Sequence, residues 1–164
     1  SDSWWPRCCC GRNGRRMPRD RDESGRPLNA RPRDALGRPL PRDAVGILPE
    51  PAEQALPSDQ TLLRAQELLD RDLPFQAHEV LETRWKSCPA SEREYWQGLA
   101  QAAVALTHLR RGNTVGARRL AERAVSHLAG RIAPPPGAPV EVVIEQLHAL
   151  ATGTTTELVV VVRP

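Results

Sequence analysis

The chain has 164 residues, 40% of them hydrophobic but only 4% aromatic, and carries a formal net charge of +3. A core built from it must be mostly Leu, Ala and Val, and no apolar run approaches the roughly 20 residues that span a bilayer, so no membrane partner is expected. Residues 1–43 hold 11 arginines against six acidic residues, a balance of +5 that leaves −2 for residues 44–164. The basicity therefore belongs to the N-terminal stretch, which weighs against nucleic acid as a partner of the folded part.

Residues 1–57 carry nine of the 16 prolines and almost no apolar periodicity, the pattern of a disordered or loosely draped tail. Within it RDESGRPL at 21–28 recurs as RDALGRPL at 33–40. The repeat reads either as a low-complexity linker or as a docking peptide for a partner or for the domain itself. The change of texture at Met17 suggests a native start there. Cys8, Cys9 and Cys10 are consecutive and Cys88 stands alone, so neither a CxxC pair nor a spaced disulfide framework exists. With no apolar stretch of about 7–15 residues after the N-terminal charges, a reduced, cytoplasmic setting is expected.

A helical domain is predicted over 58–152. Ser58 follows Pro57 and can cap a first helix with Leu62, Leu63, Gln66, Leu69 and Leu73 on its apolar side. Pro74 suits the first turn of a second helix, 74–87, ended by Cys88-Pro89. SERE at 91–94 has capping-box spacing, with Ser91 and Glu94 opening a third helix that runs to about Arg111. Gly112-Asn113 stops it, and Thr114 can cap a fourth, to Leu128. Small residues at Gly98, Ala102, Ala103, Gly116, Ala117, Ala121 and Ala124 let the third and fourth helices pair closely as an antiparallel hairpin. PVEVVIEQLHAL at 139–150 reads as a fifth helix with Val143, Ile144 and Leu147 inward. ELVVVVRP, within a C-terminal tail at 153–164, is strand-like but has no evident strand partner.

The stretch FQAHEVLETRWKSCP at 75–89 places His78, Glu82 and Trp85 on the same helical face as Phe75 and Leu81. Two ionisable groups on an apolar stripe need a partner, because burying an unpaired charge is costly. Shielding by Trp85 would favour an imidazolium–carboxylate pair at i and i+4. One reading is a buried polar network that fixes helix register. The other is a divalent metal or acid–base site at His78 and Glu82, with Gln101, His108 or His148 from neighbouring helices. HExxH is absent because the second histidine position holds Glu82, and Glu145 with His148 supplies a single ExxH where a di-iron bundle needs two.

His78, Glu82 and Trp85, with Ser87 and Pro89 behind them, resemble the HxxxExxW signature of the domain-of-unknown-function family 309. The similarity extends through QGLAQAAVALTHLRRGNTVGARRLAERAVSHL at 97–128 and covers roughly residues 60–130. It implies a compact all-α bundle of four to five helices and no particular chemistry.

Arg110, Arg111, Arg118, Arg119 and Arg123 gather around one predicted helix turn, where free amides and the dipole of the fourth helix add positive potential. That is a candidate anion or RNA site, although no aromatics interleave the arginines. The small-residue hairpin also resembles a tetratricopeptide-type unit, but no second copy follows at about 34 residues. The leading expectation is a non-enzymatic helical domain with a structural or protein-interaction role.

Overall fold

The computed structural model describes residues 23–24, 32–47 and 55–161. The chain divides into two units, 1–31 and 32–164. Of the first, only Glu23 and Ser24 are described, in a turn. The suggested start at Met17, the three consecutive cysteines and most of the first repeat lie outside the described residues.

Five helices, and no strand among the described residues, make up the second unit: α1 (Ser58–Asp70), α2 (Pro74–Ser87), α3 (Arg93–Arg110), α4 (Thr114–Leu128) and α5 (Val140–Thr152), with a short 3-10 turn at Ala90–Glu92. Each α-helix packs mainly on the next in sequence. Three-residue connections join α1 to α2 and α3 to α4, short enough to force antiparallel neighbours. After α1 the chain turns through Asp72, a non-glycine residue at φ 57°, while the Leu73 amide bonds back to the Leu68 carbonyl. After α3, Gly112 takes the left-handed φ of 75° and the Asn113 amide returns to the His108 carbonyl, satisfying carbonyls that the helix end leaves open.

Trp96, Tyr95, Leu68, Leu81, Leu99, Leu128, Leu147 and Leu150 fill the core among many buried alanines. The α3–α4 seam is as close as the small residues predict. A Cβ built on Gly98 would lie 2.7 Å from Leu128 Cγ.

The helix starts differ from expectation. Pro57 is the N-cap residue of α1, and the Ser58 hydroxyl instead accepts a bond from Arg84 of α2. The Ser91–Glu94 capping box does not form, and α3 begins at Arg93 with no side-chain cap. Glu94 is drawn to His127 of α4, and Glu92 accepts from the indole of Trp96 at 2.8 Å. Asn113 rather than Thr114 caps α4, its side chain accepting from the Gly116 amide. In α1 the inward leucines are Leu62 and Leu68, with Leu69 half-buried and Leu63 exposed. At Ser58 and Glu94 a partner on another helix takes the place of the local cap.

Two non-helical segments lie on the helices. Leu158 and Val160 are buried, and the Val160 amide donates 2.8 Å to the side-chain oxygen of Gln66 on α1. Val159 does the same to Gln146 of α5. The second segment, residues 32–47, comes from the Pro/Arg-rich stretch and lies against α2 and the end of α3.

Candidate functional site

His78 sits one turn into α2 and is buried, with the Phe75 ring beside it at 5.9 Å between centroids. Burial pushes its pKa down to about 4; the Glu82 charge opposes this and Lys86 adds to it. The imidazole is therefore neutral near pH 7. Its Nε2 stands 3.7 Å from Glu82 Oε2, longer than a hydrogen bond. The pairing of an imidazolium with a carboxylate expected from the helical spacing is thus replaced by a neutral ring beside a carboxylate. Glu82 lies at the edge of the stripe, with 27% of its side chain exposed, and takes Lys86 as its charged partner at 3.2 Å. Desolvation decides the outcome: the deeper group gives up its charge and the shallower one keeps a solvent-screened partner.

Trp85, one turn further, is half-buried, and the Arg93 guanidinium lies over its ring at 5.3 Å. Gln101 is buried in the middle of α3, and its Oε1 has no hydrogen-bond partner among the described residues. His108, near the end of α3, is fixed by the cap of α4. Because Asn113 Oδ1 accepts from the Gly116 amide, the Asn113 amide nitrogen faces His108 Nδ1 at 2.8 Å and must donate to it. His108 is thereby held neutral through its Nδ1 acceptor, consistent with a pKa lowered by burial and by Arg111. Gly116 leaves room for this arrangement, since a Cβ there would fall 2.8 Å from His108 Nδ1.

The structure thus brings His78 and Glu82 together and ties His108 to the α3–α4 turn instead. Among the described residues no group of three or more His, Cys, Asp or Glu is placed to hold a metal. Glu145 and His148 are both exposed on α5. A groove of about 410 Å³ lies between the start of α1 and Pro135–Pro139, and no candidate residue lines it.

Of the five arginines expected at the α3–α4 turn, two are occupied, and Arg123 is exposed. Arg110 pairs with Asp72 at 2.8 Å and donates to the Thr156 carbonyl. Arg111 donates to the Leu36 carbonyl from both Nε, at 2.8 Å, and a terminal nitrogen. Arg118 and Arg119 are exposed on α4.

The Leu36 contact belongs to a built peptide. In residues 33–40 the Asp34 carboxylate accepts from the Leu36 and Arg38 amides, closing a turn, and Arg33 donates 2.6 Å to the Gly37 carbonyl. The Arg33 guanidinium stacks over Phe75 at 5.1 Å. Burial lowers its pKa, and the carboxylates of Glu79 and Asp34 oppose that. Gly37, at φ 72°, lies so close to the Phe75 ring that a Cβ would come within 2.2 Å. Sequence reasoning placed Phe75 on the apolar stripe but did not pair it with Arg33; the RDxxGRPL repeat was the available signal. It also passed over Arg84, which joins Ser58, Glu92 and the Trp96 ring.

With this geometry in view, comparison with known proteins places the helical core. Residues 62–120 match the model of the family described as a domain of unknown function, DUF309. An uncharacterized protein of Bacillus subtilis (strain 168), YpuF, is 55% identical over 47 residues, which are 28% of this chain and 27% of that protein. The match thus spans about a quarter of the relative's length. No solved structure matches the chain. The matched segment contains every candidate from His78 to Arg119, together with Phe75 and Glu79, while the peptide at 32–47 and helix α5 lie outside it. No helix of the described residues is long and apolar enough to cross a membrane.

Proposed function

We propose that this chain is a non-enzymatic protein-interaction domain whose α2–α3 face holds an arginine-containing peptide folded into a turn. The carrying observation is the seating of residues 33–40: Arg33 stacked on Phe75, Gly37 pressed on the same ring, and the Leu36 carbonyl held by Arg111. A side-chain fork that captures a backbone carbonyl, next to an aromatic platform, recognises chain path and one cation together. His78, Glu82 and Trp85 serve structure in this reading, with the neutral imidazole backing the Phe75 platform. Among the described residues the metal reading at His78 and Glu82 finds no third donor, and the anion reading has lost Arg110 and Arg111 to other partners.

The test uses the full chain carrying Gly37→Val, which unseats the copy at 33–40. A fluorescently labelled peptide of residues 32–47 is expected to bind it, and an added Arg111→Ala to weaken binding at least fivefold. Absence of binding to the Gly37→Val chain counts against the reading.

A further inference from the structure

Residues 32–40 sit on α2 and α3 as a small hairpin. The Gly37 amide donates to the Asp34 carbonyl, the Asp34 amide to the Arg38 carbonyl and the Leu40 amide to the Pro32 carbonyl. The Asp34 carboxylate closes the turn by accepting from the Leu36 and Arg38 amides at 2.9 and 2.8 Å. The other positions meet the face in different ways. At the first, Arg33 lies over the Phe75 ring, and the carboxylate of Glu79, one helical turn further along α2, attracts the same guanidinium. At the third, Ala35 is exposed. At the fourth, Leu36 gives Arg111 its carbonyl, a group that every residue has. At the fifth, Gly37 is buried, takes a left-handed φ of 72° and leaves no room for a Cβ against Phe75. At the sixth, Arg38 is exposed.

We infer that the face selects turns of the form Arg-Asp-x-x-Gly, and that its partner is a protein displaying such a turn on a surface hairpin, which enters by displacing residues 33–40. The inference rests on the peptide-binding reading above and adds the positions that decide affinity. Arginine is preferred to lysine at the first position, because a planar guanidinium covers the ring and still donates to the Gly37 carbonyl, at 2.6 Å. Glycine is required at the fifth for two reasons, the left-handed backbone and the contact with Phe75. Aspartate acts within the ligand: it forms the turn in advance and so lowers the ordering cost of binding. The third and sixth positions stay open to any polar residue. The tethered copy faces the site at an effective concentration on the order of millimolar, so a free partner competes weakly until residues 33–40 are unseated.

The experiment measures binding of labelled 32–47 peptides to two full-length chains, the wild type and Gly37→Val, with helix content followed by circular dichroism. The parent peptide is expected to bind Gly37→Val at least about tenfold more tightly than the wild type. On the Gly37→Val chain, peptides carrying Arg33→Ala or Gly37→Ala bind at least about tenfold more weakly than the parent, and Ala35→Lys binds within about twofold of it. Glu79→Gln added to that chain weakens the parent peptide and leaves the Arg33→Ala peptide unchanged, which separates recognition of the cation from a loss of fold. If the Arg33→Ala or Gly37→Ala peptide binds like the parent, or Ala35→Lys is excluded, the inference falls while the peptide-binding reading stands. If the parent peptide binds neither chain, both fall. Equal binding of the parent to wild type and Gly37→Val shows that residues 33–40 do not cover the face and also overturns the inference.

Discussion

His78 shows how one buried group sets a pH response. Its folded pKa of about 4 lies below the ordinary 6.5, so the unfolded chain takes up the proton first as pH falls. The stability that the neutral ring permits is complete above pH 6.5, declines from there to about 4, and then levels. The shift is worth about 3 kcal/mol over that window. His108 is displaced in the same direction and adds to the slope. Replacing His78 with Leu is expected to flatten most of the acid-side loss in urea unfolding measured between pH 7 and 4; an unchanged slope would place the titration elsewhere. Glu82 should matter far less. It shares a partly exposed pair with Lys86, and Glu82→Gln is expected to lower unfolding free energy by less than about 1 kcal/mol. The helical spacing made the neighbourhood of His78 and Glu82 legible in the sequence. Their charge states were not, because these depend on depth within the stripe, and depth is set by the helices packed against it.

At the scale of elements, the α3–α4 hairpin is the most tightly specified part of the fold. Gly98→Val drives two methyl groups into Leu128 and is expected to destabilise the protein by about 1–3 kcal/mol in chemical denaturation, with little change in far-ultraviolet helix signal. A change within 0.3 kcal/mol of zero, on the order of measurement scatter, would mean that the seam is looser than described. Helix number, the Pro74 start, the Gly112 stop and the small-residue seam were all readable from the chain, since each rests on a local rule. The caps were not. Glu94 leaves the capping box for His127, and Ser58 leaves its own helix for Arg84. Both partners stand on other helices, out of reach of any rule that reads neighbouring residues. Arg84 was invisible for the same reason: its value lies in joining the start of α1, the Glu92 turn and the Trp96 ring.

Across the whole molecule, the helices act as a frame that holds non-helical segments by their backbones. Gln66, a polar residue on the buried side of α1, earns its position by accepting the Val160 amide. Arg111, at the far end of α3, holds Leu36. A proline- and arginine-rich composition signals a stretch that builds no core of its own, yet it says nothing about whether a core built elsewhere will seat part of it. The repeat carried that information only once Phe75, Glu79 and Arg111 were known to lie together. Native-state amide hydrogen exchange by NMR on the full chain tests the seating of residues 33–47 most directly, read at Leu40 and Ile47, whose amides bond to Pro32 and Arg33 carbonyls. Exchange at least tenfold slower than in the free 32–47 peptide, abolished by Gly37→Val while the α3 amides stay protected, is the expected result. Exchange at the free-peptide rate in the wild type would contradict it and return the α2–α3 face to an unassigned surface.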